Sequence, residues 1–243
     1  MDGAQRMTTP TDTTGRVVMI ASGKGGTGKS TLALALVDVW ASLGYRVALV
    51  DADPQAGATT VAGLEPVAEP LTAAPVAVHG LALYPSGRAL ALADAHAHAS
   101  RLRRAAQAAE LVVVDLGPAL TDAAHTGALA VAALMVVAAR TDAAGLRNVE
   151  EAWSLATGAG VPVAVVPTFA TGTGLSRETH AFLRGRYPTC TTAAVPMDAR
   201  AADAAGAGRP VTRTARRSRV ALAVHALAAE LAETLKLEPV GAP

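Results

Sequence analysis

Cysteine, lysine and aromatic residues are all scarce in this chain of 243 residues. A single cysteine, Cys190, cannot close a disulfide within the chain. The N-terminus carries neither the basic head nor the apolar block of a secretory leader, and both observations point to a reducing, cytoplasmic setting. Apolar runs such as ALAVAALMVVAA (128–139) fall short of the roughly 20 residues that cross a bilayer. Net charge is only +1, so no global field draws the molecule to nucleic acid or to an acidic membrane, and such binding has to come from a local patch. One cysteine is too few for an iron–sulfur cluster. His96 and His98 stand at a spacing that does not share a helix face, so no metal site is expected of them. Lysine occurs only at 24, 29 and 236, the rest of the positive charge being arginine. Two of the three lie in one loop, which suggests that a compact ammonium is needed there.

What is abundant is apolar: 51% of the residues, enough for a full core, and the length fits one compact domain. We place it at 15–237, with loose ends at 1–14 and 238–243, where Thr, Pro and Asp or the run EPVGAP show no periodicity. Strand-like runs are RVVMIAS (16–22), RVALVDAD (46–53), LALYPS (81–86), LVVVDLG (111–117), ALMVVAAR (133–140), VPVAVVPT (161–168) and TTAAVP (191–196). Helical stretches alternate with them near 29–43, 88–109, 143–158, 174–185 and 217–237. Strands apolar throughout and separated by helices predict an α/β fold: a doubly wound, mostly parallel sheet with helices on both faces. Trp40 and Trp153 fall on helices as packing residues, and Cys190 reads as a small buried one.

The stretch GKGGTGKST (23–31) follows the first strand and opens the first long helix. Its spacing fits a Walker A loop, in which backbone N–H groups and a helix N-terminus face one anion. Gly25, Gly26, Thr27, Gly28, Lys29, Ser30 and Thr31 are then the phosphate cradle, with Lys29 on the β- and γ-phosphates and the Ser30 hydroxyl on Mg²⁺. Asp51 and Asp53 end one strand and Asp115 another, so three carboxylates converge on the loop; Asp51 and Asp115 are candidate metal ligands. From Arg200 to Arg219, six arginines (200, 209, 213, 216, 217, 219) face one acid, Asp203. Such a cluster suits sequence-independent contacts to phosphate.

The loop resembles the deviant Walker A box of the ParA/MinD ATPases, whose defining departure is the extra lysine, here Lys24. The resemblance implies a P-loop ATPase using ATP and Mg²⁺, in which Lys24 of one subunit reaches across a homodimer to the phosphates held by the other. It makes Lys24, Lys29 and Asp53 the catalytic set, Asp53 orienting the attacking water, and Asp115 the Walker B acid. Adenine contacts would come from late strand ends: Pro196 and Met197, with Pro167 and Thr168 as further candidates. DADPQAGAT resembles the ParA branch, SGKGG is closer to MinD, and residues 195–231 follow the ParA pattern down to the final helix. That branch implies binding of nonspecific DNA by the ATP-bound dimer, with Arg213, Arg216, Arg217 and above all Arg219 as contacts. It also implies a centromere-binding, ParB-like adaptor that stimulates hydrolysis, serving plasmid or chromosome partition. The ending LAETLKLEPVGAP is a poor match to the basic amphipathic helix of MinD-type targeting, so a membrane partner is not expected. Nor is operator-specific repression, since the loop begins too early for an N-terminal helix-turn-helix. Where the family has Thr-Pro or Cys-Pro after the Walker B acid, this chain has Leu116-Gly117 before Pro118, in the loop that senses the γ-phosphate. Membrane positioning, positioning of another cargo, and a nucleotide-dependent scaffold with little turnover stand as alternatives.

Overall fold

In the computed structural model the described residues are 15–238. The expected loose ends, apart from Glu238, lie outside them. One sheet is built from β1 (Arg16–Ala21), β2 (Val47–Asp51), β3 (Val76–Val78), β4 (Leu81–Tyr84), β5 (Leu111–Asp115), β6 (Ala132–Arg140) and β7 (Val163–Thr168). Its order is β3-β4-β2-β5-β1-β6-β7, and every neighbouring pair is parallel except β3 and β4. Around it lie α1 (Lys29–Ser42), α2 (Gly57–Val61), α3 (Ala95–Ala108), α4 (Ala123–Leu129), α5 (Ala143–Gly158), α6 (Gly174–Arg186), α7 (Ala199–Gly206), α8 (Val211–Thr214) and α9 (Arg219–Thr234).

Successive strand side chains point to opposite faces, so an all-apolar strand feeds two cores. Val18 and Ile20 of β1 join a core with Leu36 and Trp40 of α1 and with Val224 and Leu227 of α9. Val17, Met19 and Ala21 join the other, with Leu102 of α3, Ala128 of α4 and Ala152 of α5. Trp40 is fully buried, and its indole N–H donates to the Ala228 carbonyl at 3.2 Å, so its one polar atom is satisfied. Trp153 stacks on Tyr187 with ring centroids 4.9 Å apart. Partly buried Cys190 packs against the second core, and burial pushes its thiol up to about 11.

Two expected elements differ. The helix expected at 88–109 is a 3₁₀ turn (88–92) and a separate α3, because Asp94 adopts extended backbone and caps α3 by accepting from the Ala97 N–H at 2.7 Å. The expected strand at 191–196 is not one. Glu230 of α9 accepts from the Thr192 and Ala193 N–H groups, both at 2.8 Å, which takes them out of any ladder. Only the bridges Val165↔Cys190 and Ala170↔Pro196 remain beside β7. A hairpin that the sequence reading passed over joins β3 to β4 through His79 and Gly80, both at positive φ (52° and 71°), the backbone of a tight two-residue turn.

The topology positions the site. β1 lies between β5 and β6, so the chain leaves β1 toward one side of the sheet and later crosses to the other. The crevice at the carboxyl ends of β1, β2 and β5 is where such sheets bind ligands.

Candidate nucleotide-binding site

Residues 22–28 bridge β1 and α1, with Gly26 and Gly28 at φ 72° and 82°, which L side chains rarely adopt. A Cβ on Gly25 or Gly26 would meet nothing within 4 Å, so that side of the loop is open. Lys29 is buried, and its ammonium donates to the Ser22 hydroxyl at 3.0 Å and to the Lys24 carbonyl at 3.4 Å. The Ser22 and Thr27 hydroxyls share a further hydrogen bond of 2.9 Å, so the cradle is pre-shaped. Burial lowers the pKa of Lys29, against the opposing charges of Asp115 and Asp53. Lys24 is exposed, and its ammonium has no ion pair among the described residues.

Asp51 and Asp115 are register partners at the ends of β2 and β5. Both are fully buried, but their surroundings differ. The Asp51 carboxylate accepts from the Thr59 N–H and hydroxyl, both at 2.7 Å, and from the Asp53 N–H at 3.1 Å. Burial pushes it up to about 6. Protein donors thus reach both of its oxygens, through which it organises the loop.

Neither oxygen of Asp115 has a hydrogen-bond partner. Burial first, then the neighbouring charge of Asp51, pushes it up to about 8, while the Ser30 hydroxyl and Lys29 pull the other way. An orphaned buried carboxylate beside a hydroxyl is a donor set for a hard divalent cation. Gly57 leaves the room: a Cβ there would stand 2.6 Å from Ser30 Oγ and 3.7 Å from Asp115 Oδ2. Ser30 and Asp115 thus fit Mg²⁺. Gly57→Ala should push the Ser30 hydroxyl aside and weaken nucleotide affinity about tenfold in Mg²⁺ but little in EDTA, with the fold intact because alanine suits a helix better. Titration of a fluorescent nucleotide in both buffers checks this; equal losses would remove Ser30 from the metal site.

Asp53 is half-exposed, its Oδ1 accepting from the Gln55 N–H at 2.9 Å. Leu116 fills the second core, and Gly117 lies against the Asp53 carboxylate, a Cβ there falling 3.4 Å from Oδ1. A cavity of about 310 Å³ opens beside the loop, walled by Thr27, Gly28 and Thr31 on one side and by Phe169, Pro196 and Met197 on the other. Of the residues expected to contact the base, Pro196, Met197 and Thr168 line this cavity, while Pro167 stays buried in β7 outside the lining.

The arginines gather elsewhere. Arg200, Arg213, Arg216, Arg217 and Arg219 surround one open cleft of about 630 Å³. Arg213 differs from its neighbours: its Nε donates to the buried Asp38 carboxylate of α1, which Thr212 also reaches at 2.5 Å. An arginine neutralising a buried acid is a tie between α8 and α1 before it is a contact for anything else. Arg216, Arg217 and Arg219 are exposed and unpaired among the described residues.

The sequence reading missed Ser22, Gly57, Thr59, Phe169 and Arg140. Arg140 stacks on Phe169 at 4.4 Å and donates to the Gly26 carbonyl at 3.2 Å, clamping the loop from β6. Only Ser22 had a local signal, standing directly before the glycine loop.

A glycine loop that opens a helix, a buried lysine within it and an unpartnered acid on the neighbouring strand define a P-loop nucleotide-binding protein. The chain belongs to the CobQ/CobB/MinD/ParA nucleotide binding domain family, whose model matches residues 18–239. It is 49% identical over 49 residues to the chromosome partitioning protein ParA of Caulobacter vibrioides, a stretch covering 20% of this chain and only 18% of that protein. Among solved structures, the cell division ATPase MinD of Pyrococcus furiosus superposes with a TM-score of 0.80 at 19% identity, over 90% of this chain and 99% of that one. Cobyrinic acid a,c-diamide synthase from Mycobacterium smegmatis, with bound ATP analogue and magnesium, gives 0.77 at 22%, over 92% and 96%. At these identities the structural likenesses establish the fold. Among the described residues no helix is long and apolar enough to cross a membrane.

Proposed function

We propose that this chain is a ParA-type ATPase that binds ATP with Mg²⁺, dimerises across the nucleotide, holds nonspecific DNA as the ATP dimer and lets go on hydrolysis. A ParB-like, centromere-binding adaptor stimulates that hydrolysis, and the cycle serves plasmid or chromosome partition. The observation that carries the DNA step is the cleft of exposed arginines. Arg200 at its rim belongs to α7, and residues of that helix also line the cavity beside the loop. Nucleotide and cleft thus share one wall.

The chemistry follows from the residues. Backbone N–H groups of 25–31 and Lys29 hold the phosphates and neutralise charge as it develops. Mg²⁺ held by Ser30 and Asp115 would neutralise charge on the phosphate oxygens. Asp53 orients the attacking water, and Lys24, exposed at the rim, supplies a cation to the partner's nucleotide.

The test is binding to nonspecific duplex DNA with ATP, ADP or no nucleotide, at two salt concentrations. Binding should require ATP and Lys24 and fall with salt. Arg219→Glu should weaken it about tenfold or more and lower the salt slope by about 1, with dimerisation intact. Unchanged affinity would place the contact elsewhere. Indifference to DNA in every nucleotide state would overturn the reading and turn attention to lipid vesicles.

A further inference from the structure

Arg101, on α3, has a guanidinium that is only 1% exposed and faces no carboxylate at bonding distance. Its two terminal nitrogens donate to two backbone carbonyls, Asp51 and Pro85, each at 2.7 Å. Those carbonyls lie where the β2–β4 ladder stops, since the last paired residues are Val50 and Tyr84. Nε has no partner. A buried guanidinium is costly, and an apolar side chain of similar volume would serve packing at least as well. The Asp51 carbonyl leads directly into the segment that carries Asp53, and the Pro85 carbonyl into Ser86.

That segment is pinned throughout. Ala52 N–H donates to the Asp115 carbonyl at 2.8 Å. Ser86, the residue after Pro85, donates its hydroxyl to the Asp53 carbonyl at 2.6 Å, and its N–H to Thr59 Oγ1 at 2.9 Å. Thr59 holds Asp51, and Asp51 holds the Asp53 N–H. On the far side a Cβ on Gly117 would stand 3.4 Å from Asp53 Oδ1.

We infer that Arg101 is a positioning residue for Asp53: by joining the ends of β2 and β4 it fixes Ser86 and Asp51, which together fix the Asp53 backbone. The inference rests on the proposed role of Asp53 in hydrolysis. A planar fork suits the task because it meets two carbonyls at once in a fixed geometry, which an ammonium on a flexible stem does not reproduce. A shift of about 1 Å in a group that orients a reactant can cost about 100-fold in rate, without touching the groups that bind the nucleotide.

The experiment measures ATP turnover, nucleotide affinity and thermal stability for the full chain and for Arg101→Gln, Arg101→Lys, Ser86→Ala, Asp53→Ala and Arg101→Gln/Asp53→Ala. Arg101→Gln should lower kcat by about 10- to 100-fold with nucleotide affinity changed less than about threefold, and Arg101→Lys should recover part of the loss. The double variant should be no slower than Asp53→Ala, because both changes act on one group. Ser86→Ala removes a single hydroxyl and should show the same split more weakly, which keeps the inference testable if Arg101→Gln does not fold. An unchanged kcat in Arg101→Gln or, failing that variant, in Ser86→Ala would overturn it. So would a double variant slower than Asp53→Ala by the full factor of Arg101→Gln. Unchanged turnover in Asp53→Ala alone would instead strike the hydrolysis role on which the inference rests.

Discussion

Asp115→Asn is expected to make the nucleotide-free chain more stable at pH 8 and to abolish Mg²⁺-dependent turnover, two effects of opposite sign from one substitution. The cause is the fully buried, unpartnered carboxylate, whose pKa stands at about 8 against 3.8 for the free group. A raised acid pKa means that the folded state holds the proton more tightly than the unfolded one between those values. Its contribution is therefore present in full below about pH 4 and is lost as pH rises toward 8. Asp51, raised to about 6, works in the same direction over the lower half of that window. At about 1.4 kcal/mol for each unit of difference, the Asp115 contribution amounts to about 6 kcal/mol at most. Asparagine keeps the shape and removes the titration, so melts at pH 5.5, 7 and 8.5 should show a flatter pH dependence than wild type. Equal slopes in the two proteins would mean that Asp115 is ionised or solvated in the folded chain. The destabilised acid makes sense in a cation site: the cost of burying its charge in the nucleotide-free chain returns as affinity for positive charge.

The parts of this molecule legible in the sequence are those where one physical pattern dominates a long stretch. The six apolar runs that became β1, β2, β4, β5, β6 and β7 could be read because burial on both faces demands unbroken apolar residues. The phosphate loop could be read because positive φ and close approach to an anion restrict it to glycines at fixed spacing. What the sequence leaves hidden is decided by single distant side chains. Glu230 lies 38 residues from Thr192 yet takes its N–H out of the ladder. Asp51 reads as a ligand from its strand end, and only the fold shows Thr59 closing on it. Arg213 is exposed like Arg216, Arg217 and Arg219, and nothing local reveals Asp38, 175 residues away, to which its Nε is tied. Gly57 and Arg101 carry no motif, and their importance comes from what the fold brings within reach.

The two lysines of the loop should separate binding from assembly, and Lys29→Ala should have the largest effect on affinity. Lys29 is buried at the start of α1 with its ammonium among hydroxyl and carbonyl oxygens, the place that a phosphate takes over on binding. Loss of its charge-assisted bonds should weaken ATP by about 100-fold or more, the equivalent of ~3 kcal/mol. Lys24 contributes nothing comparable within its own subunit, since it is exposed and unpaired among the described residues. Lys24→Ala should therefore leave stability within about 0.5 kcal/mol and ATP affinity of the monomer almost unchanged. It should nevertheless remove ATP-driven dimerisation, seen as a second species in sedimentation, and with it turnover and DNA binding. If Lys24→Ala weakens ATP as much as Lys29→Ala does, both lysines act in cis and the dimer reading fails. On the proposed reading Lys24 acts on the nucleotide of a second copy, and nucleotide-dependent sedimentation tests that directly.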